Sequence, residues 1–205
     1  MVTIVDYGLG NLGSIQNMLR YLGHDSQIAS RKQEIESAEK LILPGIGSFD
    51  FGISQLLKRE MVEVLNYKVL DQKKPILGIC LGVQLMTRGS EEGDLKGLSW
   101  FEADTIQFNF TGYKGKLSIP HMGWNFIEKR KVSKLNQNMH DQSKFYFVHS
   151  FHLKPDDPAD VLYETHYGYD FAVGLEKDNI LGCQFHPEKS HKYGMRLLDN
   201  FVKNY

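Results

Sequence analysis

Pro75-Ile76-Leu77-Gly78-Ile79-Cys80-Leu81-Gly82-Val83-Gln84-Leu85-Met86 changes its pattern halfway along. Pro75–Ile79 is a short continuous apolar run, the mark of a strand buried on both faces. Leu81–Met86 reads as the start of a helix, so strand passes to helix at Cys80 with a glycine two residues to either side. Upstream, the same alternation recurs. Val2–Asp6 is an apolar strand ended by the turn Gly8-Leu9-Gly10-Asn11. Leu12, Ile15, Leu19 and Leu22 then fall at helical spacing, and Gly23 is placed to cap that helix. Ser26–Ala29 is a weaker strand, and Lys40–Leu43 a stronger one that stops at Pro44-Gly45-Ile46-Gly47. A helical pattern follows from Phe51 to Val69, with Ile53, Leu56, Leu57, Met61, Val64 and Leu65 on one side.

Strand and helix in alternation predict an α/β fold: a mainly parallel central sheet flanked by helices. From Ser99 the texture changes. Ile106, Phe108 and Phe110 alternate with polar residues, as does the run from Ile119 to Ile127, and both read as antiparallel strands added in the C-terminal half. Phe145–Val148, Val161–Thr165, Phe171–Leu175 and Ile180–Phe185 continue that pattern, and a last helix covers Lys192 to Lys203. With 205 residues, no repeat and no long linker, residues 1–205 are expected to form one domain.

Composition narrows the function classes. Lys and Arg number 24 against 25 Asp and Glu, a formal net charge of −1, which excludes binding to nucleic acid by bulk charge. No apolar run approaches the roughly 20 residues that span a bilayer, and no basic, apolar leader opens the chain. Two cysteines cannot make a disulfide framework, so a reducing cytoplasm is expected.

Gly78-Ile79-Cys80-Leu81-Gly82 is the thiol form of the nucleophile elbow. A sharp strand-to-helix turn strains the nucleophile's backbone, and the flanking glycines remove the collisions that turn would cause. The helix opening at Leu81 aims its free N–H groups at the sulfur. Cys183 lacks this setting and reads as core. A nucleophilic thiol needs a base and an orienting group. Gln184-Phe185-His186-Pro187-Glu188 offers both, since in extended chain His186 and Glu188 leave on one face. His24, His140, His166 and His191 read as solvated or structural, while His121, His149 and His152 remain weaker candidates for the base. No C-x-x-C or paired-histidine motif suggests a metal, and no cofactor is expected. One competing motif is present. Gly8-Leu9-Gly10-Asn11-Leu12-Gly13 satisfies the dinucleotide fingerprint, but it lacks the later acidic residue and leaves Cys80, His186 and Glu188 unused.

Together with Ile4–Asn11, Leu43–Gly47, Pro120-His121-Met122-Gly123-Trp124-Asn125 and Tyr146-Phe147-Val148-His149-Ser150, these segments resemble the class I (triad) glutamine amidotransferases. Within that family they are most similar to the HisH-type glutaminase subunits of imidazole glycerol phosphate synthase. The resemblance runs from the first strand to the last helix and implies a flavodoxin-like core. It implies that Cys80 attacks the side-chain amide of L-glutamine, with His186 as base and Glu188 orienting it. Leu81 N–H and the Gly45–Ile46–Gly47 turn would form the oxyanion hole, with Ile46 N–H presented only when a partner engages. Gln84, Ser150 and Phe151 would line the glutamine site, Phe151 standing where the family commonly has Tyr. Asn11, Met122, Trp124 and Asn125 would face the partner, a HisF-type (β/α)8 barrel cyclase in a heterodimer, although Trp124 also suits an ordinary core strand. Two acceptors stay open: the imidazole ring of the histidine pathway, or a surface-polysaccharide sugar amidated by a HisF-like partner. A free-standing cysteine hydrolase would carry the same triad.

Overall fold

A computed structural model describes residues 1–205. Val2–Val5 (β1) is buried throughout and turns at Gly8–Asn11 into Leu12–Tyr21 (α1), whose Ile15 and Leu19 face inward. Gly23 takes φ +79° just past Leu22, the left-handed residue that ends a helix cheaply. Ser26–Ala29 (β2), Lys32–Glu36 (α2) and Leu41–Gly45 (β3) follow. The helix expected over 51–69 is divided in two. Phe49–Lys58 (α3) and Met61–Asn66 (α4) part at Glu60, which has φ +54°, and a π turn covers Tyr67–Asp71. One straight helix of that length would run about 28 Å, well past the end of a five-residue strand. The break instead keeps Ile53, Leu56, Met61, Val64 and Leu65 in one core. Ile76–Cys80 (β4) then passes directly into Leu81–Leu85 (α5).

The C-terminal half supplies Ala103–Gln107 (β5), His121–Phe126 (β6), Glu128–Lys129 (β7), Lys144–His149 (β8), Phe151–Pro155 (β9), Val161–His166 (β10), Asp170–Lys177 (β11), Ile180–Cys183 (β12) and His191–Asn204 (α6). Strands β2-β1-β3-β4-β12 are mutually parallel; β11, β10 and β7 extend the sheet antiparallel, with β9 and β5 branching from β11. The antiparallel pair β6–β8 forms a separate two-stranded sheet. The alternating run through Phe110 is shorter than its pattern: β5 stops at Gln107. Phe108 and Phe110 lie beyond it, stacked at 5.5 Å, where Phe108 joins a cluster with His149, His152 and Phe171. Aromatic packing there sets the alternation that a longer strand would also have produced.

Two cores sandwich the parallel strands. Leu41 and Leu43 meet α3 and α4 on one face, while Ile4, Ile42 and Leu77 meet α1 and α6 on the other. Strand register then positions the site. Gly45 lies opposite Cys80, and Ile79 opposite Cys183, so the C-terminal ends of β3, β4 and β12 open onto one crevice. No helix is long and apolar enough to cross a membrane.

Backbone meets backbone where α5 approaches β3. A Cβ on Gly82 would lie 1.8 Å from the Leu43 carbonyl oxygen, with no flexible side chain to yield. Gly82→Ala should therefore cost about 3 kcal/mol or prevent folding. Gly13→Ala, whose Cβ would meet nothing within 4 Å, should be neutral or stabilising by up to about 1 kcal/mol. Urea denaturation of the two variants measures both effects.

Candidate active site

Cys80 sits at the junction of β4 and α5 with φ +54° and ψ −113°, a backbone that side-chain-bearing residues avoid. What makes the turn possible lies two residues to each side. A Cβ on Gly78 would come within 2.8 Å of the Val83 backbone, and Gly82 rests on Leu43. The strain lifts the thiol to the mouth of the crevice, where it is nearly buried.

His186 and Glu188 meet by a different route from the one the sequence suggests. β12 ends at Cys183, and Pro187–Lys189 is a 3-10 turn with His186 at its start, so the pair is not extended chain. The proline-led turn curls the carboxylate back, and His186 Nδ1 donates to Glu188 Oε1 at 2.8 Å. The backbone of His186 is pinned to β8 through Tyr146 O at 3.0 Å, and Ser190 Oγ donates to His186 O at 2.6 Å. Asn11 Nδ2 donates to the same Glu188 oxygen at 2.8 Å, a contact the sequence does not announce. His186 Nε2 is buried with no hydrogen-bond partner and borders the same cavity as Cys80. Burial opposes charge on this imidazole, but Cys80 and Glu188 outweigh it and push its pKa up to about 10. Burial likewise works against the Glu188 carboxylate, and the bonds from His186 and Asn11 hold it below the usual carboxylate range.

The cavity, of about 300 Å³, is bordered by Cys80, Leu81, Ile46, Gly47, Gln84, Ser150, Phe151 and His186, which the sequence reading brings to one place. It also holds Glu92, which that reading passes over. Glu92 Oε2 accepts the Phe49 N–H at the start of α3 (2.8 Å), so the carboxylate is anchored at the rim. Gln84 is less free than expected: its Nε2 donates to Gln184 Oε1 at 2.9 Å, and Gln184 in turn reaches Cys80 Sγ at 3.7 Å. Tyr7, fully buried under the Gly45 turn, has a hydroxyl with no partner. His149 also borders the cavity. Its Nδ1 donates to Phe151 O at 2.7 Å, and its Nε2 accepts from His121 Nδ1 at 2.9 Å. Burial pushes His121 down to about 4; burial, with His121 adding, pushes His149 down to about 3. One neutral ring, His149, thus walls the cavity with His121 behind it, and one charged ring, His186, borders it. Of the other histidines, His24 pairs with Asp199 and His166 with Asp170.

Beside the crevice, β6 presents Met122 (66% exposed), Trp124 (46%) and Phe126 (46%) along one face, with Trp124 stacked on His191 at 5.6 Å. Trp124 is therefore no core residue. Asn125 leaves the opposite face and spends its amide on His166 O (2.9 Å), and Asn11 turns inward to Glu188, so neither joins that apolar row. The Gly8–Asn11 turn has its own structural account: Gly8 N–H caps on Asp6 Oδ1 at 2.9 Å and Gly10, at φ +112°, lets the chain close onto Pro44.

This geometry has known counterparts. The family described as glutamine amidotransferase class-I matches residues 3–205. The chain belongs to that family. Among curated relatives, imidazole glycerol phosphate synthase subunit HisH 2 of Methanococcus maripaludis is 48% identical over 203 residues, 99% of each chain. Subunit HisH 2 of Pseudomonas aeruginosa is 43% identical over the same share. A solved glutamine amidotransferase superposes with a TM-score of 0.75 at 16% identity, covering 99% of this chain and 98% of the other. The amidotransferase fold is thus shared far beyond detectable likeness in sequence.

The opposed histidine shifts give the amidotransferase a defined pH response. His186 lies above its ordinary 6.5, so its stabilising share is complete below about pH 6.5 and fades as pH rises through about 10. His121 and His149 lie below 6.5, so theirs is complete above about pH 6.5 and fades as pH falls toward 4. NMR titration of the ring carbons should show His186 protonated at pH 8 while His121 and His149 are neutral at pH 6. Glu188→Gln should lower the His186 midpoint by about one unit or more.

Proposed function

We propose that the chain, acting as one domain, hydrolyses L-glutamine to glutamate and ammonia through a thioester on Cys80. It passes the ammonia to a HisF-type (β/α)8 barrel cyclase that closes the imidazole ring of imidazole glycerol phosphate. The observation that carries this reading is a strained, cavity-facing Cys80 beside a His186 held by Glu188, in a chain similar over 99% of its length to HisH subunits. Two free cysteines suit the reducing cytoplasm where amino-acid synthesis runs.

Each step has a group assigned to it. Cys80 Sγ attacks the side-chain amide carbon while His186 Nε2 already holds the proton of the pair. The carbonyl oxygen becomes an oxyanion, met by Leu81 N–H at the elbow and by Ile46 N–H from the Gly45–Gly47 turn. Collapse breaks the C–N bond while His186 returns the proton to the departing nitrogen, giving ammonia. Water then attacks the thioester, His186 takes its proton, and glutamate leaves as the Cys80–His186 pair is restored. Glu188 stays ionised and keeps the imidazole aimed at sulfur. Glu92 and Gln84 suit the ammonium and carboxylate ends of the amino acid. A docked partner on Met122 and Trp124 would sit beside the crevice mouth, where released ammonia could pass without mixing into water.

Cys80→Ala should lower glutamine-dependent product formation by more than about a thousandfold. The complex supplied with ammonium chloride should still form imidazole glycerol phosphate. Retained glutamine-dependent synthesis in Cys80→Ala would defeat the assignment. An amidated sugar in place of the imidazole product would leave the glutaminase step and change the acceptor.

A further inference from the structure

Asn11 occupies the N-cap of α1, the position where asparagine ordinarily spends its side chain on the first free N–H groups of the helix. It makes no such bond here. Its amide crosses instead to a residue 177 positions away, Glu188 Oε1, at 2.8 Å. A carboxylate only accepts, so the amide nitrogen must be the atom that faces it. A helix cap worth about 1 kcal/mol has been given up for a contact with the site.

That contact falls where the carboxylate needs a restraint. Glu188 Oε1 takes both His186 Nδ1 and Asn11 Nδ2, while Oε2 is buried without a partner. Rotation about the last side-chain bond of a glutamate is broad and weakly restrained by itself. With one oxygen unheld, the second donor on Oε1 fixes the plane of the group. Asn11 is well placed to do so, because its turn is rigid: Gly8 N–H is tied to Asp6, and Gly10 packs on Pro44 beside the Gly45 turn.

We propose that Asn11 is a positioning residue for the reaction: its amide locks the Glu188 carboxylate in the plane that orients His186 toward Cys80. This rests on the Cys80–His186–Glu188 reading above. Asn11 does not border the glutamine cavity, so it acts through Glu188 and not on substrate.

A double-mutant cycle on glutamine hydrolysis tests it, with the barrel subunit saturating and the parent, Asn11→Ala, Glu188→Gln and the double variant compared. Asn11→Ala should lower kcat about tenfold, the worth of a hydrogen bond to a charged group, with KM unchanged. In the Glu188→Gln background the same change should cost nothing more. The acid limb of the kcat profile should move to higher pH in Asn11→Ala. It should move further in the isosteric Asn11→Asp, which sets a second carboxylate against Glu188. Losses that multiply across the cycle, an unmoved acid limb, or full kcat in both Asn11 variants would overturn the proposal. So would a loss confined to affinity for the barrel subunit, which would make Asn11 a docking residue. Should Cys80→Ala and Glu188→Gln keep the parent rate, the triad reading itself would fall, and this one with it.

Discussion

The backbone of Cys80 can hold φ +54° only because α5 lies against β3 with no side chain between them. Gly82 rests on the Leu43 carbonyl, and Gly78 leaves room for the Val83 backbone. From that contact the remaining geometry follows. A helix starting so close behind its strand must turn within one residue, and that residue is thrust toward the ends of β3 and β12. The Gly45 turn arrives on one side and His186 on the other. Both are therefore fixed by sheet register more than by their own conformational preferences.

Electrostatics divide the histidines around this point. His121 and His149 are buried, linked to each other and to backbone, with no anionic partner, and burial keeps them neutral. His186 is equally buried, yet Glu188 and Cys80 hold its proton in place. One residue type thus takes both charge states in neighbouring positions, and the difference is one thiol and one carboxylate. That carboxylate is itself steadied from the first turn of the chain, by Asn11. The beginning and the end of the sequence are joined at the reacting group.

Much of this was legible in the residues. The glycine spacing about Cys80 announced the elbow, the strand–helix alternation announced the parallel sheet, and the class I amidotransferase family was readable from the motifs. What escaped has a physical reason in each case. Glu60 breaks the long helix because the sheet is shorter than the apolar stripe, a length that no local pattern records. Glu188 reaches His186 through a 3-10 turn, which looks like extended chain when only i and i+2 are compared. Glu92, Gln184 and the inward turn of Asn11 depend on contacts across 43, 100 and 177 positions. Asn125 lies one step of strand alternation off the apolar row, since Met122 and Trp124 share a face that it does not.

The strained thiol of Cys80, and not Cys183, is the proposed nucleophile toward a glutamine side chain. A chloroketone analogue of glutamine puts an alkylating carbon where the amide carbon would lie, and peptide mapping by mass spectrometry then locates the adduct. The expected result is stoichiometric labelling at Cys80, slowed by added glutamine, with Cys183 unmodified inside its core. Labelling at Cys183, or a Cys80 that reacts no faster with the glutamine analogue than with simple chloroacetamide, would contradict it.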